Sequence, residues 1–419
     1  MNCPTGKTPG QNTIPVETDN QPAALPPGSP DSSVRQSLVV IGASVRAIAE
    51  SSVRAGRDVF AADLFGDRDL RAIARGYARA VPYPEGLPQV VAGFPPGPWL
   101  YTGGLENHPE IIAEISRNRL LAGCSAPAVR QIRDPTRLSM LARHAGLLYP
   151  ETRLDPAAIP VDGSWLVKPI HSAGGHGISR WRGCLDKDRA GDRWLWQRGV
   201  RGRPWSASFL LTAGRASLIG ASRQLIGSRW TAARPFHWSG GLDIAPESLS
   251  RRVRELLQRL GRELARVPGL LGLVGVDLMV DRHRGLTVLE VNPRPTASME
   301  LIERATGFSL ATAQLTACGF AVPGSTTLPA ARRETWAKAV LFAPSPLVVD
   351  ERSQAALDTL AIRWSDADRQ PAVADLPLPP QTIPSGRPIC TLFAAGPSPT
   401  AALRELRHRV HTVRQQLFA

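Results

Sequence analysis

Asp277, Glu290 and Asn292 follow one another at steps of thirteen and two residues, the first within Gly275-Val276-Asp277-Leu278 and the others within Leu289-Glu290-Val291-Asn292-Pro293-Arg294. Two carboxylates and an amide are hard oxygen donors. Such a set suits Mg²⁺, which keeps several waters and fills its octahedron with substrate phosphates, and Mn²⁺ accepts the same ligands. Asp277 and Glu290 each interrupt an apolar run, where a lone charge is costly to bury, so a functional reason outweighs that of a plain surface hairpin.

A second group lies upstream. Lys168 closes the apolar run Ser164 to Ile170 and is followed by His171-Ser172-Ala173-Gly174-Gly175-His176-Gly177. Glycines in such a loop let backbone N–H groups wrap phosphate oxygens, and the lysine adds a compact positive charge. The arrangement is not a Walker A loop, because the lysine precedes the glycines and Ile178 to Arg182 reads as a strand where a helix would be needed. His171 and His176 fit either substrate or phosphate contacts, or packed and solvated histidines. A phosphate loop beside a Mg²⁺ site describes a place for ATP.

These residues need elements to position them. Val274 to Val280 and Leu286 to Val291 read as two strands joined by a turn at 281–285. Alternation along the second strand puts Glu290 and Asn292 on one face, and the hairpin brings Asp277 beside them. Upstream, Trp205 to Leu211 and Ala216 to Ser222 read as a second hairpin across Thr212 to Arg215. The helix beginning at Arg251 carries Val253, Leu256, Leu257, Leu260, Leu264 and Val267 at helical spacing, with its arginines facing water.

At the start of the pattern, a strand at Ser37 to Ile41, a turn at Gly42-Ala43-Ser44, a helix from Val45 to Arg54 and a strand at Asp58 to Ala62 open a parallel α/β sheet. The turn lacks GxGxxG, so a nicotinamide-dependent dehydrogenase loses its main support. Helical pattern runs from Asn107 to Leu121 and again from Pro135 to Ala145, where Asp134 is the expected cap. Near the C-terminus come a strand at Ala337 to Phe342, a Pro-rich stretch at Leu376 to Pro384, the run Pro388 to Phe393 and an amphipathic helix. There is no internal repeat.

The 419 residues suffice for about three structural units at roughly 150 residues each. Lys and Arg number 50 against 36 Asp and Glu, a net charge of +14 that favours anionic partners. Arginine is spread along the chain instead of gathered in a patch, which argues against nucleic acid. No apolar run approaches the ~20 residues needed to span a bilayer. Cys3, Cys124, Cys184, Cys318 and Cys390 are scattered and odd in number, so neither a disulfide framework nor a zinc site is indicated and a reducing cytoplasm fits. Residues 1–36 are polar and Pro-rich, lack the apolar core of a signal peptide and read as a disordered tail.

Lys168 with its glycine loop, then Asp277, then Glu290-Val291-Asn292-Pro293-Arg294, resembles in order and spacing the lid and metal signature of the ATP-grasp superfamily. The resemblance covers residues 38–395. It implies α/β and α+β architecture: an open parallel α/β domain at 37–125, a two-part ATP-grasp domain with antiparallel sheets at 126–330 and a small α+β domain at 331–419. Within the middle domain the lid would occupy 164–225 and the metal-binding part 226–330. Residue by residue, the resemblance implies that Lys168 binds the ATP phosphates while Gly174, Gly175, His176 and Gly177 close over them. Asp277, Glu290 and Asn292 would hold one or two Mg²⁺, and Arg294 would face the transferred phosphoryl group or the acceptor carboxylate. Gln197, in Leu195-Trp196-Gln197-Arg198, falls where the family reads adenine and ribose, commonly with an acidic residue. Arg137 stands where an additional ATP-contacting lysine often occurs. Thr296-Ala297-Ser298-Met299-Glu300 is similar to a small subset of stand-alone ligases.

The implied activity is ligation of a small carboxylate to an amine through an acyl phosphate, with ATP and Mg²⁺ or Mn²⁺ as cofactors and no protein nucleophile. Carboxylation, thioester formation and a catalytically silent nucleotide-binding regulator are the alternatives. The expected partners are small molecules, with neither nucleic acid nor membrane, and a homodimer is left open.

Overall fold

The structure is a computed structural model that describes residues 36–185, 193–322, 334–365 and 370–418. The expected disordered tail lies outside the described residues, apart from Gln36.

The chain opens with β1 (Ser37–Ile41), α1 (Arg46–Arg54), β2 (Asp58–Asp63), α2 (Arg68–Ile73), β3 (Gly76–Arg79), α3 (Leu87–Ala92) and β4 (Trp99–Tyr101). The four strands are parallel in the order β3-β2-β1-β4. Leu38 to Ile41 are fully buried, as a parallel strand covered on both faces requires. The order reverses between β1 and β4, so the crevice at the carboxyl ends of these two strands is the topological switch point of the sheet. Gly42 is dictated there by its neighbour, because a Cβ on it would sit 2.1 Å from Thr102 Oγ1. Thr102 Oγ1 in turn donates to the Ser44 carbonyl at 2.9 Å.

Three helices follow: α4 (Pro109–Ser116), α5 (Ala126–Arg133) and α6 (Pro135–His144). Asp134 caps α6 as its sequence position predicts, accepting from the backbone N–H of Thr136 at 2.7 Å and of Arg137 at 3.1 Å. A four-stranded antiparallel lid then forms from β5 (Thr152–Arg153), β6 (Trp165–Pro169), β7 (Ser179–Arg180) and β8 (Trp194–Arg198), ordered β5-β8-β6-β7. Its buried face is a cluster of Trp165, Val167, Trp181, Trp194 and Trp196. Strand alternation leaves Lys168 and Gln197 on the other face.

The largest sheet has eight strands in the order β13-β12-β9-β10-β11-β14-β18-β16. Its first part comprises β9 (Arg203–Thr212), β10 (Arg215–Ile226), β11 (Trp238–Ile244), β12 (Gly272–Asp281) and β13 (Gly285–Asn292), with α7 (Arg251–Ala265) packed on β10 and β9. Leu257, Leu260 and Leu264 of α7 are buried as the 3.6-residue period predicts. After α8 (Glu300–Thr306) and α9 (Leu310–Ala317), β14 (Thr335–Phe342) pairs with β11 and carries the sheet onward. The chain ends with β15 (Leu347–Val349), α10 (Glu351–Trp364), β16 (Val373–Ala374), β17 (Gln381–Ile383), β18 (Pro388–Gly396) and α11 (Pro399–Phe418). Among the described residues, no helix is long and apolar enough to cross a membrane.

Candidate active site

The metal signature is built by register. Asp277 on β12 lies directly opposite Glu290 on β13, and Gly275 lies opposite Asn292. A bulge between Asp277 and Leu278 offsets the ladder, while period-two alternation keeps Glu290 and Asn292 on one face. Asn292 Nδ2 donates to Asp277 Oδ2 at 3.2 Å. Gln224, reaching over from β10, donates to the other Asp277 oxygen at 2.7 Å. Burial pushes the Asp277 carboxyl up to about 7, helped by the facing Glu290 charge and opposed by the Gln224 bond.

The expectation that both carboxylates are buried is corrected here: Glu290 is exposed and Asp277 half-buried. They open onto a cleft, so register and not burial cost gathers them. Among the described residues no group of three or more His, Cys, Asp or Glu side chains is placed to hold a metal ion. The third candidate ligand is the Asn292 amide, whose nitrogen faces Asp277 and whose oxygen accepts from Arg294.

Lys168 stands across the cleft on the lid. Its Nζ donates to Gln197 Oε1 at 2.6 Å, and Gln197 Nε2 donates to Thr152 Oγ1 at 3.1 Å. Burial lowers the Lys168 pKa, and the Glu290 and Asp277 charges act in the opposite direction, which puts the lysine within electrostatic reach of both carboxylates. Two residues placed by separate arguments, Lys168 and Gln197, are therefore one hydrogen-bonded unit.

The glycine loop leaves β6 toward β7. Gly174, Gly175 and Gly177 all have positive φ, at 63°, 81° and 75°. Gly175 has a further reason to lack a side chain, since a Cβ would lie 2.0 Å from the Phe236 carbonyl oxygen. Trp238 N–H donates to the Gly174 carbonyl at 3.0 Å, and the His176 ring packs on His237 with centroids 4.2 Å apart. The loop is thus docked on residues 236–238, at the start of β11. His171 lies nearer the first domain, its ring 6.1 Å from that of His108.

Arg294 extends from the end of β13 to the switch-point crevice. Its Nη2 donates to Glu106 Oε1 at 2.6 Å and to Asn292 Oδ1 at 3.2 Å. Glu106 is 3% exposed, and although burial pushes its carboxyl up, the Arg294 charge reverses this and holds it below the usual range. Arg294 Nε, Glu106 Oε2 and the Tyr83 hydroxyl are buried here without a hydrogen-bond partner. Polar atoms left in that state favour a ligand that supplies their bonds.

Arg137 is exposed on α6, and its guanidinium is bonded to no described residue. The arginine tied to the site is Arg133 of α5, donating to Asn107 Oδ1 at 2.7 Å and to the Ile170 carbonyl at 3.2 Å. Asn107 Nδ2 donates onward to the Ser172 carbonyl at 3.3 Å, so these two residues fasten the root of the glycine loop to the first domain. Glu106, Arg133 and Gln224 are the site residues that sequence reasoning missed. For Glu106 a signal existed: an acidic residue just beyond a strand of an open parallel sheet.

The family described as the ATP-grasp domain matches residues 138–298. No curated protein sequence matches the chain. The carboxyaminoimidazole ribonucleotide synthase of Aspergillus clavatus, complexed with ATP, superposes with a TM-score of 0.67 at 14% identity, over 91% of this chain and 99% of that one. The biotin carboxylase of Campylobacter jejuni superposes with a TM-score of 0.62 at 13% identity, over 86% and 87% of the two chains. The L-amino acid ligase of Bacillus licheniformis gives 0.61 at 15% identity, over 91% and 98%. At these identities the likeness is one of fold. With the family match over residues 138–298 and the lid and hairpin placed as described, this part of the chain is an ATP-grasp domain.

Proposed function

We propose that this protein is an ATP-dependent ligase that activates a carboxylate as an acyl phosphate and joins it to an amine. The observation that carries the reading is the alignment of Asp277, Glu290 and Asn292 across one hairpin, with Lys168 facing them and Arg294 beside them. Two like-charged carboxylates held side by side, with the Asn292 amide next to them, fit a divalent cation with a preference for oxygen, and Mg²⁺ or Mn²⁺ suits that donor set once the amide turns its oxygen from Arg294 toward the ion. When bound, the ion supplies charge neutralisation for the nucleotide phosphates.

The residues of the chain account for the rest. Lys168 and Arg294 supply positive charge for the phosphoryl oxygens as the substrate carboxylate attacks the γ-phosphorus and ADP departs. The amine then displaces phosphate from the acyl phosphate, and no protein nucleophile takes part. Gln197 holds Lys168 in place, and Glu106 holds Arg294. The carboxylate substrate occupies the crevice at the ends of β1 and β4, where Arg294 and Tyr83 offer unused hydrogen-bonding atoms. A cytoplasmic location suits the nucleotide and the free state of Cys124, Cys184, Cys318 and Cys390.

Two of the similar solved structures are a biotin carboxylase and a carboxyaminoimidazole ribonucleotide synthase, which favours ATP-dependent carboxylation as the second reading. Trapping with hydroxylamine separates the two. Purified protein with ATP, Mg²⁺, hydroxylamine and a panel of carboxylates forms a hydroxamate and ADP together if an organic acyl phosphate is made. ADP release that requires bicarbonate and yields no hydroxamate overturns the ligase reading in favour of carboxylation.

A further inference from the structure

A cavity of about 320 Å³ lies on the opposite side of the lid sheet from Lys168. Val167 and Trp194 form its lid wall, Gly177 its edge on the glycine loop, and Arg234, His237 and Arg387 its polar side. Neighbouring residues of a strand point to opposite faces, so Val167 looks into this cavity while Lys168 looks into the nucleotide cleft. The two spaces are distinct, and they share the glycine loop.

Among the described residues, the lining contains no carboxylate. Arg234 and Arg387 are exposed, and no described residue hydrogen-bonds or ion-pairs with either guanidinium. His237 is only 7% exposed, yet its Nδ1 has no hydrogen-bond partner. Burial lowers its pKa, as does the Arg234 charge. Two cations unpaired among the described residues and an unsatisfied buried imidazole nitrogen on one wall form a site for an oxyanion. A phosphate has enough terminal oxygens for all three donors, whereas a carboxylate has two. The volume falls at the lower end of small-molecule sites, roughly 300–1,000 Å³, and exceeds what one inorganic ion fills. The apolar wall of Val167 and Trp194 then receives an organic body.

We propose that this cavity binds a phosphorylated small molecule, its phosphate held by Arg234, Arg387 and His237 and its organic part seated against Val167 and Trp194. His237 belongs to the same 236–238 segment on which Gly174 and Gly175 are docked, so occupancy braces the glycine loop from behind. The inference concerns binding and stands whether or not the ligase reaction is correct.

Calorimetry on the full chain, with phenyl phosphate and inorganic phosphate as probes, tests it. Phenyl phosphate binds more tightly than inorganic phosphate, Arg234→Ala and Arg387→Ala each weaken it at least about tenfold, and Lys168→Ala does not. Amide hydrogen exchange at residues 174–177 slows on binding. Because both arginines are exposed, their removal leaves the core packing in place, which circular dichroism of the variants checks. Three results would overturn the proposal: no binding of phenyl phosphate, equal affinity for the two probes, or binding that survives loss of both arginines and disappears with Lys168→Ala.

Discussion

Asp277 and Glu290 face each other across one rung of a hairpin, and this single contact carries most of the chemical reading. It was legible in the sequence because strand alternation has a fixed period, so a thirteen-residue step with a short turn can be converted into a shared face. Glu106, Arg133 and Gln224 were not legible in the same way. Glu106 meets Arg294 across 188 positions of sequence, and Gln224 meets Asp277 across 53, separations that no local period encodes. Lys168→Ala raises the KM for ATP in steady-state kinetics, and Gln197→Ala produces a smaller effect in the same direction because it removes only the residue that holds the lysine. Glu106→Gln leaves Arg294 a buried cation without its counter-ion, and a drop in ligase rate of about 10²-fold with little change in ATP affinity is expected. An unchanged rate would separate Glu106 from the reaction.

Among the elements, the strands that hold the site follow their apolar patterns, and β12 and β13 each extend the expected strand by one or two residues. The strand β11 was missed. Its Ser239-Gly240-Gly241 core has low strand propensity, yet Gly240 is needed because a Cβ there would lie 2.0 Å from the Lys338 carbonyl oxygen on β14. The glycine loop shows a related point. Its glycines suggested phosphate wrapping, but Gly175 has a packing reason of its own in the Phe236 carbonyl. Gly175→Ala should therefore displace the loop from residues 236–238. Faster hydrogen exchange at 174–177 in the nucleotide-free protein would report that displacement, and exchange like that of the wild type would show that the close approach is not what demands glycine.

For the whole molecule, one buried ion cluster joins the first sheet to the last. Arg46 of α1, 1% exposed, makes a bidentate contact with Glu300 of α8 at 2.7 and 3.1 Å and donates through Nε to Asp375 at 2.8 Å. Lys338 of β14 donates to Glu300 at 2.6 Å, and Arg304 reaches it at 3.3 Å. Glu300 lay within a motif read as part of a ligase signature, and its observed contacts are the structural ones of this junction. No sequence pattern could have shown this, because the cluster depends on β14 joining β11 and on the residue-375 loop meeting α1. Burial pushes the Glu300 carboxyl up, but Arg46, Lys338 and Arg304 more than reverse this and hold it well below the usual range. A depressed folded pKa contributes stability above the unfolded value of about 4.3 that is lost as pH falls below it. Asp67 nearby is pushed up to about 9 by burial and by Asp375 and Asp69, so its contribution has the opposite sign and fades as pH rises toward that value. Glu300→Gln is expected to cost ~3–5 kcal/mol at neutral pH by leaving buried cations uncompensated, and to flatten the acid limb of a plot of Tm against pH. A variant with the wild-type acid limb would assign that limb to other carboxylates.

The net charge of +14 acts at this scale too, and the dispersed arginines predict no binding to unrelated DNA at about 150 mM salt. Salt-sensitive binding under those conditions would require a basic surface outside the cleft. The central claim, that the Asp277–Glu290 hairpin supports ATP turnover, is tested most directly by Mg²⁺-dependent ADP release from purified protein supplied with carboxylates and amines. Asp277→Ala and Glu290→Ala are each predicted to lower the rate at least about 10²-fold with the fold intact. ADP release by both variants at the wild-type rate would contradict the account.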